Sequence, residues 1–454
     1  MNRFISLRWG AGVLSLVLGA AACGKIPDPP EGPKVGKATL VAVHDDESPV
    51  VGATVVHTTV DGTLIGQAVT SGTGSAVFDI TEGDILSIGW LEPDANGGSS
   101  KRLFTILDVE VDDKINVNNR RSFSSDVVST VVVQTQALPV GADHGDLLMG
   151  NCSANVSPTS MTAMITIRRN CLDAAGKFTL VGRALNTNGQ MLGASVLVDQ
   201  APPPAGQVIT MPQWRTPTTP KVSFSIVNVP DGATRTQGTL DTYRHGLPYE
   251  TYPFSGDAQS PGAVMVPTAP AYVEAIAHSA LASFPSASDP TKTDGVVFML
   301  AKEAYANDVG AAYTADLSLA MPRVFESTYA AATQTFEWKI QAADDEQAGR
   351  LSGGDIVAIA LPWGEPNDPN NQKNVWVVVA PGFVGSPLKV DVHQLASFAP
   401  PADSGILPVS FRALEIDIVE GYHDMKTRFG TNFLESVDQL DNFEGLASFS
   451  GELH

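Results

Sequence analysis

Pro49-Val50-Val51-Gly52-Ala53-Thr54-Val55-Val56 is followed by Asp61-Gly62, by Val69-Thr70-Ser71-Gly72-Thr73-Gly74-Ser75-Ala76-Val77-Phe78 and by Gly83-Asp84-Ile85. Short runs of Val, Ala, Thr and Phe alternate here with glycine turns. Glycine supplies the positive-φ positions that tight turns demand, and β-branched residues suit a pleated, half-buried surface. Alternating residues such as Val55 and Val77 are expected to fill a sandwich core.

Outward from that stretch the pattern persists. Thr39–Val43, Thr54–Thr58, Ala76–Ile80, Ile85–Trp90, Leu103–Val111 and Val127–Gln134 are the clearest strand candidates. From Lys37 onward, turns rich in Gly, Pro, Asp and Asn recur at a spacing typical of β-sandwiches. Helical periodicity is scarce: Ala271–Ala282 reads as one helix and about Lys426 to Leu440 as another. No internal repeat is evident. The fold class expected is mainly β, with two to four sandwich modules in series and few short helices. The chain has 454 residues, 43% of them hydrophobic, enough for several packed cores and too apolar for wholesale disorder.

The run from Pro49 to Ile85 resembles the carboxypeptidase regulatory-like, or transthyretin-like, sandwich. In that family a Gly-Ala-x-Val strand precedes a threonine, a glycine turn and an Ala-x-Phe strand, and the domain is an accessory module without catalytic machinery. The resemblance covers about residues 37–135. A second one lies near the C-terminus: Thr335-Phe336-Glu337-Trp338-Lys339-Ile340, Asp355–Leu361 and Val375–Pro381 are similar to fibronectin type III or immunoglobulin-like sandwiches. There a buried Trp on an inner strand anchors the core. These readings divide the chain into a signal peptide (1–22), a lipidated cysteine with a Pro-rich tether (23–36), a transthyretin-like sandwich (37–135), a β-rich middle region (136–330) and a C-terminal sandwich (331–454).

Arg3 and Arg8, the apolar run Gly10–Leu18 and the small residues Gly19–Ala22 form a secretory signal ending at Cys23. The small residues resemble a bacterial lipobox, with Ala20 where Leu is commonest; the competing reading is ordinary cleavage at the same bond. Cysteine parity favours lipidation of Cys23, since Cys152 and Cys171 can pair in an oxidising compartment and leave it over. A 152–171 bridge is a structural staple contributing about 3 kcal/mol, and the segment between its cysteines reads as a single strand with flanking loops. Acyl chains on Cys23 would be the membrane anchor, and Gly24, in place of an Asp, leans towards the outer membrane.

The formal net charge is -21, and loss of Arg3 and Arg8 takes it to -23. A surface this acidic excludes a sequence-independent nucleic-acid binder. For chemistry, His44-Asp45-Asp46-Glu47 contains the His-x-x-Glu spacing of zinc ligands but reads as a solvated acidic turn. Glu415, Asp417, Glu420, His423 and Asp424 form the densest set of possible ligands. Glu415 and Asp417 alternate with Leu414, Ile416 and Ile418, so both project from one face of a strand, and His423 could add a softer ligand. The plainer reading is the charged face of an edge strand. Asp94-Ala95-Asn96-Gly97 and Glu365–Asn371 are oxygen-rich and suit either calcium or ordinary turns. No nucleophile elbow, P-loop, dinucleotide fingerprint or His-Glu-x-x-His is present.

The sequence thus points to a non-enzymatic cell-envelope lipoprotein that binds an unidentified protein or glycan or provides structural support, with no cofactor. The competing classes are a lipid-anchored metal-dependent hydrolase using Glu415, Asp417 and His423, and a calcium-dependent adhesin.

Overall fold

Seven strands occupy residues 35–117 in the computed structural model: β1 (Val35–Ala42), β2 (Thr54–Thr58), β3 (Leu64–Val69), β4 (Ser75–Thr81), β5 (Asp84–Pro93), β6 (Ser99–Val109) and β7 (Lys114–Val117). The structure describes residues 32–46, 48–93, 98–117, 127–216, 221–255, 262–265, 273–285, 293–305, 311–342, 345–364, 374–382, 384–417, 419–429 and 447–451. In this first sandwich β1 lies between β4, antiparallel, and β7, parallel. The facing sheet runs β3-β2-β5-β6. Ala38, Leu40, Val55, Phe78, Ile88 and Ile106 meet between the two sheets. Gly74 closes the turn into β4 at φ +73°, where a Cβ would stand 2.4 Å from the Ala42 carbonyl oxygen. Only glycine fits there.

The same connectivity recurs twice. The second set is β8 (Val127–Gln134), β9 (His144–Met149), β10 (Cys152–Val156), β11 (Thr162–Arg168), β12 (Phe178–Leu185), β13 (Met191–Gln200) and β14 (Val208–Thr210). Its sheets run β11-β8-β14 and β10-β9-β12-β13. The third is β15 (Lys221–Val227), β16 (Arg235–Arg244), β17 (Leu247–Ser255), β18 (Gly262–Met265), β19 (Ala275–Pro285), β20 (Thr293–Ala304) and β21 (Ala312–Asp316), with sheets β18-β15-β21 and β17-β16-β19-β20. In all three the first strand is central, flanked by the fourth antiparallel and the seventh parallel. The repeat that the sequence hides is therefore one of topology. The run Val127–Gln134, grouped in sequence with the strands before it, pairs with β11 and β14.

A fourth sandwich is wired differently. It comprises β22 (Arg323–Ala330), β23 (Thr335–Gln341), α1 (Asp345–Gly353), β24 (Ile356–Trp363), β25 (Asn374–Ala380), β26 (Leu388–Lys389), β27 (Ile406–Pro408), β28 (Ser410–Ile416), α2 (Gly421–Phe429) and β29 (Ala447–Gly451). Its first two strands form an antiparallel pair within the sheet β26-β23-β22-β27. The other sheet, β25-β24-β28-β29, is continuous with its neighbours: β25 pairs parallel with β6 and β29 pairs antiparallel with β20. A single twelve-stranded sheet therefore passes through the third, fourth and first sandwiches. Trp376 is fully buried at its centre, edge-on to Tyr329 and Phe336 at 5.3 and 5.1 Å, and its Nε1 donates to Thr105 Oγ1 at 3.1 Å. Removing an indole of this size from water contributes about 5 kcal/mol. Trp338, the tryptophan singled out in sequence, is also buried, against Phe411.

The architecture is mainly β with few short helices, as expected from the strand spacing. Four details differ. Ala275–Pro285 is a strand where a helix was expected over Ala271–Ala282: it lies between β16 and β20 and is buried along nearly its whole length, so no alternation marks it. The second helix spans Gly421–Phe429, beginning before the expected Lys426; residues 430–446 lie outside the described residues. Val77 faces outward from β4, and the core positions there are Ala76 and Phe78. Between Cys152 and Cys171 run two strands, β10 and β11. The Cys152–Cys171 disulfide itself is present, with Cα atoms 5.6 Å apart. No helix among the described residues is long and apolar enough to cross a membrane. Residues 1–31, with the signal, Cys23 and most of the tether, lie outside the described residues.

Candidate functional site: the joints between sandwiches

α2 follows β28 and lies against the first sandwich. The Tyr422 hydroxyl is within hydrogen-bond distance of the Leu107 and Val379 carbonyls, at 2.9 and 3.1 Å. Full burial, with Asp113, Asp108 and Glu110 nearby, holds this phenol well above its ordinary pKa. One turn on, Lys426 is 1% exposed and its Nζ donates to Asp113 Oδ2 at 2.7 Å and to the Asp108 carbonyl at 2.8 Å. It also sits over the Tyr422 ring, 4.2 Å from the centroid. Asp113 is 1% exposed, so both charges of this pair are removed from water and depend on each other. His423 Nδ1 stands 2.6 Å from Asp113 Oδ1 and 3.5 Å from Glu110 Oε2. Burial raises the Glu110 carboxyl above its ordinary pKa, against the opposing pull of Lys426 and His423.

The ligand set proposed from sequence is thus dispersed. His423 is committed to Asp113 and Glu110 on the first sandwich. Glu415 faces Arg350 on α1 at 3.8 Å, and burial raises its carboxyl above the ordinary range. Asp417 lies exposed in the turn after β28. Asp355, read from sequence only as the start of a strand, accepts the Ile416 N–H at 2.7 Å, and burial pushes its carboxyl up to about 6. Among the described residues no group of three or more His, Cys, Asp or Glu side chains is placed to hold a metal ion. His44 of the His-x-x-Glu motif stands 2.9 Å from Glu92 Oε2; Glu92 also accepts from Trp90 Nε1 and from the Asp45 N–H, so it ties the turn after β1 to β5. Glu47, Asp94–Gly97 and Glu365–Asn371 lie outside the described residues.

A second polar joint links the second and third sandwiches. The β16–β17 turn places His245 at φ +48° and Gly246 at +81°. Arg244 donates to both oxygens of Asp199 on β13, at 2.8 and 3.1 Å from Nη2, and reaches Glu274 at 3.3 Å. His245 lies between the same two carboxylates, at 3.3 and 3.2 Å. The Arg244 hydrogen bonds hold Asp199 below its ordinary pKa. Val181, Leu247 and Tyr249 pack beneath. Beside this network opens a cleft of about 750 Å³, lined by Asp173, Lys177, Tyr243, Glu274, Lys302 and Glu303 among others. Sequence reasoning missed both joints because partners such as Lys426 and Asp113 are 313 residues apart. The local signal was only the Arg-His-Gly turn.

No protein-family model and no curated protein matches this chain. Solved structures align over many strands at low similarity. The Bacillus anthracis TIE protein is 8% identical with a TM-score of 0.13, over 62% of this chain and 49% of that one. This chain thus spans about half of that protein's length. The major pilin subunit BcpA of Bacillus cereus is 9% identical with a TM-score of 0.14, over 62% of this chain and 99% of that one. Two B repeat units of the Staphylococcus aureus collagen-binding protein are 9% identical with a TM-score of 0.12, over 76% and 100%. Likenesses at these scores carry no argument for a shared arrangement or activity; the fold rests on this chain's own ladders.

Proposed function

We propose that the chain is a non-enzymatic structural or binding module of the cell envelope, held at the outer membrane through a lipidated Cys23. The observation that carries this reading is where the charge has gone. Lys426, Asp113, Arg244 and Asp199, together with the neighbouring histidines, are engaged in holding sandwiches to one another. The twelve-stranded sheet does the same through the backbone. The strand order of the first three sandwiches supports reading each as transthyretin-like, and the order β25-β24-β28-β29 against β23-β22 supports a fibronectin type III-like fourth. Its ligand would be a protein or glycan, and the acidic surface disfavours nucleic acid. Fractionation and mass spectrometry test it: a diacylated or triacylated Cys23 peptide is expected in the membrane fraction, and Cys23→Ser should release the protein. A Cys23→Ser variant that still pellets with membranes contradicts the anchor. Stoichiometric zinc retained through EDTA dialysis contradicts the non-enzymatic assignment.

A further inference from the structure

We infer that each of the three like sandwiches is built to carry tension along the chain. In each, the first and last strands lie side by side and run parallel: Thr39–Ala42 against Lys114–Val117, Val132–Gln134 against Val208–Thr210, and Ser223–Val227 against Ala312–Asp316. In a parallel pair the beginning of the first strand and the end of the last are at opposite ends of the ladder. Pulling the two chain ends apart slides one strand along the other and loads the ladder's hydrogen bonds together. A hairpin pulled from its open end loses them one at a time. Each first strand is also the centre of its sheet, so it must break a second ladder to leave. Those ladders are β1 with β4, β8 with β11, and β15 with β18.

The second sandwich has the shortest of the three parallel ladders, and it is the one that carries the disulfide. Cys152 and Cys171 are separated by 19 residues, a segment the bridge withholds from extension. At roughly 3.3–3.6 Å per residue this is about 65 Å of chain. A load-bearing role builds on the envelope reading, yet its test leaves out Cys23 and lipid, so either can fail without the other.

The test is single-molecule pulling on the full chain carrying Cys23→Ser. Handles at Lys34→Cys and Asn118→Cys load β1 and β7 in shear; handles at Val51→Cys and Ser71→Cys peel the edge strand β3 from β2. The protein is the same in both geometries, so equilibrium stability is held constant and only direction differs. Rupture in shear is expected at no less than twice the peeling force at equal loading rate. Handles at Ser125→Cys and Thr218→Cys should show the second sandwich's extension lengthening by about 60 Å after reduction, the segment's contour less the span of the bridge. Equal forces in the two directions, or an unchanged extension after reduction, overturn the inference.

Discussion

The joint between the first and fourth sandwiches and the joint between the second and third solve one problem with different physics. The first is built from backbone: β6 continues into β25, and Val56, Leu103 and Leu107 of the first sandwich belong to the core that surrounds Trp376. Its one lysine–aspartate pair is fully buried. The second is built from side chains alone: the buried Arg244 reaches Asp199 and Glu274, about two-fifths exposed, above the small apolar cluster of Val181, Leu247 and Tyr249, and neither sheet of the second sandwich runs on into the third. Ladders and buried pairs fail cooperatively, whereas exposed ion pairs contribute little and are screened by salt. The difference predicts a protein of two stability classes, with the second sandwich the separable part.

The edges of the sheets show how this came about. In the first and third sandwiches the sixth strand, β6 or β20, is an open edge that accepts a strand of the fourth. In the second sandwich the equivalent strand, β13, is closed by the chain's own return: Ala194 and Arg215 exchange backbone hydrogen bonds at 2.9 and 2.8 Å, and Ser195 Oγ donates to the Pro212 carbonyl. The Gln200 side chain donates to the Val198 carbonyl further along. An edge so covered cannot template another strand. Identical topology therefore yields a joined sandwich or a separate one according to a few residues at a single edge.

The largest expected effect is at the backbone joint. Lys426→Ala leaves Asp113 buried without its cation and should cost about 3–5 kcal/mol, measured by denaturant unfolding. Lys426→Met combined with Asp113→Leu should recover most of that loss. A small effect of the single change would mean the pair is wetter than its burial indicates. Next, Cys152→Ser with Cys171→Ser should cost the second sandwich about 3 kcal/mol and leave the unfolding of the others in place. A uniform loss across all transitions would erase the distinction between the joints.

Asp355 gives a pH test within the fourth sandwich. Its folded pKa, pushed up to about 6, lies above the unfolded value near 3.9, so the folded state holds the proton more tightly. Stability is then full below pH of about 4, falls by about 2–3 kcal/mol as pH rises towards 6, and is level above. Asp355→Asn should remove that slope while still accepting the Ile416 N–H. A slope unchanged in the variant assigns it to other groups. The smallest effect is Asp199→Asn at the second joint, about 0.5–1 kcal/mol in low salt and less at 0.5 M. A loss as large as that of Lys426→Ala would break the comparison.

What could be read from the residues divides along the same line. Val127–Gln134 coincides with β8, whose inner residues alternate between buried and half-buried; Thr54–Thr58 coincides with β2, which is buried at four of its five positions and shows itself instead as a short β-branched run between glycine turns. β19 did not, since Ala, Ile and Phe bury both of its faces and Tyr272, Ile276 and Ser279 happen to fall at helical spacing. The disulfide was legible from cysteine parity. The joints were not: Tyr422 meets Leu107 across 315 residues, and Glu415 and His423, eight residues apart in sequence, are sent to Arg350 and to Asp113 once α2 turns against the first sandwich. Threefold repetition was hidden because it resides in strand order, which different side chains can satisfy equally.

Native-state hydrogen exchange read by mass spectrometry tests the central claim most directly, since it reports opening free energies strand by strand. Amides of β6, β25, β28 and β20 are predicted to exchange with one common free energy, and those of β8–β14 with a separate, lower one that falls further after the disulfide is reduced. If β6 opens independently of β25, or if the second sandwich opens only with the rest, the account of a shared twelve-stranded body with one separable sandwich is wrong.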